Sequence, residues 1–208
     1  MNIRDVPGDH PISFDGDERA CRTDPLWLIW FTQVYNAIKA FLQFAYFVQT
    51  ASKTVANSTT ETTLVSTGEG LTTLPAGFLM PGKCLRVRAC GVISTTGTPN
   101  LTLRLKIGGA TIASTGAVAM AGTVSGNVWS LDAEITCRTR GASGTVIGQG
   151  EFQYDDSTHA GTRWGMAMAA AATVDTTTQQ AVDLTAQWGT GSASNTITCT
   201  NLNIEASG

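Results

Sequence analysis

The sequence predicts a mainly β protein, an antiparallel jelly-roll sandwich preceded by an N-terminal arm and one long α-helix. Three observations predict it. Apolar and polar residues alternate with period two in run after run of the later part of the chain. Clusters of Gly, Pro, Asn, Ser and Thr stand between those runs as turn signals. The composition suits strands: 14% of residues are charged and 42% hydrophobic, so solubility rests on Thr, Ser, Asn, Gln and Gly. Of these, Thr is β-branched and suited to a half-exposed pleat.

The chain of 208 residues is long enough for one domain with a substantial core and an appendage. Residues 1–24 are polar and punctuated by Pro7, Gly8, Pro11 and Gly16, which predicts an extended arm. This stretch is mostly acidic and does not read as a secretory signal.

Residues 25–50 predict an apolar anchor or trimerisation helix. Asp24 is a suitable N-cap, and Pro25 at the first helical position loses no bond through its missing N–H. Trp27, Phe31, Val34, Ile38, Phe41, Ala45 and Val48 recur at spacings of three and four as one seam, flanked by Trp30, Tyr35, Leu42 and Phe44. The length suits a bilayer, but Gln33, Asn36, Lys39 and Gln43 form a polar stripe. A central Lys costs about 3 kcal/mol on insertion scales. A helix buried by its own copies or by a docking partner is therefore expected, and no membrane span.

Residues 51–208 predict the β-domain. Leu85, Val87 and Ala89 alternate with Arg86 and Arg88; Leu101, Leu103, Leu105 and Ile107 with Thr102, Arg104 and Lys106. Leu131, Ala133, Ile135 and Cys137 alternate with Asp132, Glu134, Thr136 and Arg138, and Val182, Leu184, Ala186 and Trp188 with Asp183, Thr185 and Gln187. Each run puts its apolar residues on one face. Near the C-terminus Ile197 and Cys199 are odd-numbered but Leu202 and Ile204 even-numbered, so a bulge near Asn201 is expected. For residues 164–173, WGMAMAAAAT, helix propensity competes with alternation of Trp164, Met166 and Met168. The strand neighbours on both sides favour a strand.

Little in the sequence points to chemistry. No GxSxG, HExxH or phosphate-binding GxxxxGK[ST] motif occurs, so the chain is expected not to be an enzyme, with no catalytic residues and no cofactor. A net charge of −3 argues against a nucleic-acid partner, which requires a basic surface. The five cysteines, Cys21, Cys84, Cys90, Cys137 and Cys199, include no CxxC pair and have two histidines for company. Reduced packing thiols are expected, and no metal. The loop from Tyr154 to His159, with Asp155 and Asp156 adjacent, offers oxygen ligands for Ca²⁺ but reads as a solvated loop. Asp132 and Glu134 share a strand face at a spacing compatible with paired carboxylates; with Arg138 nearby they read as a surface charge pair. Trp129 and Trp188 fall in the apolar phase of their strands and predict core packing, which leaves Trp164 as the candidate glycan contact.

The stretch from Leu74 to Phe152, including LPAGFLMPGKCLRVRACGVIS and WSLDAEITCRTRGASGTVIGQGEF, resembles jelly-roll domains of small tailed-bacteriophage virion structural proteins, which look like the trimeric sandwiches of the tumour-necrosis-factor and complement-C1q type. DPLWLIWFTQVYNAI, from Asp24 to Ile38, is similar to the N-terminal helix of minor phage structural or tail components. The resemblance implies a homotrimer assembled in the bacterial cytoplasm and exposed on the virion exterior. It implies docking through Trp27, Trp30 and Phe31 to another virion protein at the tail or capsid, with a helix seam of Val34, Ile38, Phe41, Ala45 and Val48. Burial in the trimer's own core is the equal alternative for the tryptophans. Two virion roles follow, a tail fibre or spike touching a host surface glycan, slightly favoured, and a capsid decoration or head-fibre protein; a free carbohydrate-binding module is the alternative outside the virion.

Overall fold

The computed structural model describes residues 28–35, 45–156, 158 and 161–207. The chain divides into two units, Met1–Phe44 and Ala45–Gly208, so the second unit begins earlier than the expected residue 51. In the first unit residues 28–35 form a helix, in which the Thr32 hydroxyl donates to the Leu28 carbonyl one turn back (2.8 Å). The expected arm, its cap at Asp24 and Pro25, and the seam positions Trp27, Ile38 and Phe41 lie outside the described residues.

The expected helix over 25–50 does not reach residue 50, because Ala45–Gln49 form a strand, β1. The segment AYFVQ fits both periods over so short a length: Ala45 and Val48 continue a helical seam, while Phe47 and Gln49 are buried and Val48 exposed, as alternation requires. Backbone pairing on both sides decides the matter. Val48 lies opposite Asn203 on one flank and Glu69 on the other. Ala45 and Val48 therefore belong to a sheet and not to a helix seam.

The remaining strands are β2 (Lys53–Ala56), β3 (Thr62–Thr63), β4 (Gly68–Gly70), β5 (Thr73–Leu74), β6 (Cys84–Thr96), β7 (Asn100–Ile107), β8 (Ala110–Ser114), β9 (Val118–Ala119), β10 (Thr123–Thr139), β11 (Gly144–Asp155), β12 (Gly161–Ala167), β13 (Ala172–Val174), β14 (Gln180–Trp188) and β15 (Thr196–Ser207). They make two antiparallel sheets. The larger runs β12-β11-β10-β6-β15-β1-β4, with β13 beside β11 and β2 beside β15; the smaller runs β3-β14-β7-β8, with β5 beside β14 and β9 beside β7. The pairing is nested. β1 pairs with β15, β3 with β14, β6 with β10 and β7 with β8, as when one long hairpin folds upon itself.

The four alternating runs occupy β6, β7, β10 and β14 with the expected facing. Leu85, Val87, Leu101, Leu103, Leu105, Leu131, Ile135, Val182, Leu184 and Trp188 are all buried in one core contributed by both sheets. Trp129 and Trp188 are fully enclosed, and each spends its indole N–H on a backbone carbonyl, Thr198 at 3.0 Å and Val55 at 3.3 Å. This satisfies the polar handle that burial of a tryptophan otherwise leaves stranded. In the stretch 164–173, residues 164–167 end β12 and residues 172–173 open β13, with a bend within 168–171 between them.

The bulge expected near Asn201 is present: the register of β15 on β6 shifts between Cys199 and Asn201. There Gly91 of β6 sits under the β15 backbone, and a Cβ at that position would lie 1.9 Å from the Thr198 carbonyl oxygen. The bulge restores the inward facing of Leu202 and Ile204, and the glycine makes room for it. Gly91→Ala must push β15 away from β6. We expect a loss of about 3 kcal/mol, the upper end of the usual overpacking range, read as a lower urea midpoint with unchanged slope. Wild-type stability in this variant would show that β15 is not seated as described.

Candidate functional site

The expected docking and seam residues divide between the two units. Trp30 and Phe31 lie in the 28–35 helix, with rings 5.2 Å apart at 72° in an edge-to-face contact. Leu28 (62% exposed), Ile29, Phe31 and Tyr35 (64%) all stand out from that helix, while Trp30, Gln33 and Val34 are half-buried. Eight residues thus expose four large apolar side chains, well beyond the single stripe of an ordinary surface helix. Val48 belongs to β1, in the second unit.

Trp164 turns inward. It lies opposite Phe152 across β11 and β12, stacks on Tyr154 with ring centroids 5.2 Å apart at 7°, and lies 5.9 Å from Phe152. The Tyr154 hydroxyl accepts from the Ala121 N–H at 2.8 Å. The indole is half-buried against the core, so much of its face belongs to the protein itself.

The side chains brought together are instead on the outer face of the larger sheet. Arg86 forks onto Asp132, Nε to Oδ1 at 2.9 Å and Nη2 to Oδ2 at 2.5 Å. This bond, first among its causes, holds the Asp132 carboxyl below its ordinary pKa. Arg88 stands between Asp132 (3.8 Å) and Glu205 (3.9 Å), and Arg163 meets Glu151 at 3.4 Å. Asp132 and Glu134 are indeed surface charges, but the counter-ion of Asp132 is Arg86, with no ion pair to Arg138 among the described residues. Cross-strand register supplies that partner, and no local spacing signals it. These pairs are half-exposed and each is worth no more than about 1 kcal/mol.

Two adjoining depressions open on this face. One, of about 540 Å³, is lined by Val48, Arg88, Cys90, Ser130, Asp132, Glu151 and Gln153 among others. The second, of about 630 Å³, lies over Arg86, Glu134, Gln149 and Gly165. Gln153 donates to the Ser130 hydroxyl at 2.9 Å. Cys84, Cys90, Cys137 and Cys199 are free thiols; burial pushes Cys199 up to about 12, whereas Cys90 is half-exposed and lines the first depression.

A second polar cluster ties β3 to the smaller sheet. Glu61 accepts from Lys106 Nζ (2.8 Å), Arg104 Nη1 (3.2 Å) and the Thr185 hydroxyl (2.9 Å). The Lys106 bond, first among several causes, lowers its pKa. Asp183 accepts from the Thr63 hydroxyl, yet its burial raises its pKa.

In the Asp155–His159 loop, Asp156 Oδ1 accepts from the Thr158 N–H and hydroxyl, both at 2.7 Å; His159 lies outside the described residues. Among the described residues no three His, Cys, Asp or Glu side chains gather as a metal site, and no helix is long and apolar enough to cross a membrane. No protein family, curated protein or solved structure matches this chain.

The carboxylates flanking β3 give a pH signature. Asp183, raised above the ordinary value, contributes stability present below that value and lost as pH rises through its folded pKa. Glu61, lowered, contributes stability present above the ordinary value and lost as pH falls through its folded pKa. Asp183→Asn keeps an acceptor for Thr63 and removes the cost of the buried charge. Its urea midpoint should exceed that of wild type at pH 7, and the gain should vanish below about pH 3, under the ordinary aspartate pKa. A gain independent of pH would remove desolvation as the cause.

Proposed function

We propose that this chain is a non-enzymatic structural protein of a bacteriophage particle, a homotrimer docked through its N-terminal region and displaying a jelly-roll outward. The observation that carries the reading is the 28–35 helix, which exposes Leu28, Ile29, Phe31 and Tyr35 on a unit distinct from the β-domain. Exposed apolar groups in such density mark a surface that is covered in the working assembly, and Trp30 and Phe31 are of the type that anchors interfaces.

The nested pairing supports the jelly-roll. β1, β15, β6 and β10 on one sheet and β3, β14, β7 and β8 on the other follow the eight-strand order of two Greek keys; β11, β12 and β13 extend the larger sheet beyond β10. The anchor-then-knob order favours a tail fibre or spike that contacts the host. A capsid decoration or head-fibre protein is the alternative. A free carbohydrate-binding module, the other class, gives no account of the exposed helix.

Light scattering of the full chain should return three times its 21.8 kDa mass; a monodisperse monomer would remove the trimer. A chain lacking residues 1–44 should stay soluble and fail to join particles, whereas continued incorporation would show that the anchor lies elsewhere. Antibody labelling of intact particles in the electron microscope separates the two virion roles. Gold at the tail supports host contact and gold over the head supports decoration. Absence of label on every particle, with an antibody that binds the native protein, would overturn both.

A further inference from the structure

We infer that the depression across β15, β6, β10 and β11 is a binding site for a neutral, hydroxyl-rich ligand of the oligosaccharide class. Cross-strand register builds it. One row on the outer face runs Asn203, Arg88, Asp132, Glu151, and the next runs Asn201, Cys90, Ser130, Gln153. The short side chains of Cys90 and Ser130 form a floor beside the taller first row. The floor row spans about 14 Å at the ordinary spacing of neighbouring strands.

The lining mixes two kinds of surface. The first row carries ionic and amide groups, and Val48 (37% exposed), opposite Asn203, adds apolar surface at one end of it. The first row has hydrogen-bonding capacity to spare: among the described residues, the Arg88 guanidinium has no acidic oxygen closer than 3.8 Å, beyond hydrogen-bond range. Asp132 is held in place by the Arg86 fork and Ser130 by Gln153. Donors and acceptors thus alternate on a rigid sheet, as preorganised recognition requires.

That pattern selects the ligand class. An anion beside Arg88 meets the Asp132 and Glu151 carboxylates, and a cation beside those meets Arg88. A sugar ring fits this lining, with hydroxyls that donate and accept along the polar rows and a C–H face for Val48. The inward-packed Trp164 plays no part. The site would serve the host contact of the proposed particle protein, but it stands on the geometry of this face and is tested on the isolated full chain.

The experiment screens the full-length protein on an array of defined linear hexose and N-acetylhexosamine tetrasaccharides and titrates the strongest binder by calorimetry. Arg88→Ala should weaken that binding at least tenfold, and Ser130→Trp, which fills the floor with a good strand former, should abolish it. Arg138→Gln, on the same strand beyond the site, should leave it unchanged. On the wild-type chain, saturating tetrasaccharide should slow iodoacetamide alkylation of Cys90 at least fivefold while leaving Cys84 unaffected, as read by peptide mass. No binding across the array overturns the inference, as does binding that survives Ser130→Trp or leaves Cys90 unprotected. Cys90 that is already unreactive without sugar and becomes reactive on dilution would assign this face to a second copy of the chain, and also overturn it. Trimer mass and particle labelling are read independently, so either reading can fail alone.

Discussion

The second unit depends on the seating of β15. This last strand pairs with β6 along one side and with β1 and β2 along the other, so the two ends of the β-domain are joined in the middle of its larger sheet. Three buried groups converge there: Trp129 donates to the Thr198 carbonyl, Gln49 donates to the Cys199 carbonyl, and Gly91 lies under the bulge. With β15 absent, the core faces of β1 and β6 lose their neighbour, and the Trp129 indole N–H and the Gln49 amide lose their acceptors. Burial of a polar group is tolerated because a bond is made, and here the bond from Gln49 to Cys199 spans most of the domain's length. Pairing at such separations must pay the entropy of loop closure before any contact rewards it, which makes this a slow topology to assemble.

The scarcity of charge has a structural counterpart. With few charged residues, those present are placed in groups where register brings opposite signs together: Arg86, Arg88, Asp132 and Glu205 on the larger sheet, Glu61, Arg104 and Lys106 on the smaller. The second group has the larger effect on structure. β3 has two paired residues, too few to hold the 57–66 segment by backbone bonds alone. Glu61, reaching two cations and a hydroxyl in a half-buried setting, adds the side-chain ties. Thr and Gln complete the same work, as where Gln187 donates to the Thr59 carbonyl.

The apolar surplus is concentrated differently. The β-domain encloses most of its large side chains in one core, whereas the 28–35 helix exposes most of its own. The helix that the sequence predicts over 25–50 is described over residues 28–35, and residues 45–49 form β1 instead.

Periodicity and turn chemistry are local properties, and what rests on them was legible in the sequence: the alternating strands β6, β7, β10 and β14, the inward Trp129 and Trp188, and the bulge marked by the change of parity between Cys199 and Leu202. Pairing is not local, and only the tertiary structure decided it. Residues 45–49 satisfy helical and extended spacing equally, and become a strand because β15 and β4 flank them. Arg86, not Arg138, neutralises Asp132 because β6 lies beside β10 in that register. Trp164 packs on Tyr154 because β12 folds back on β11 with that face inward. The depression over Arg88 and Cys90 needs four strands drawn from distant parts of the chain, so no window of sequence contains it. Composition and alternation determined what each segment is, and the closure of β15 between β1 and β6 determined which residues meet.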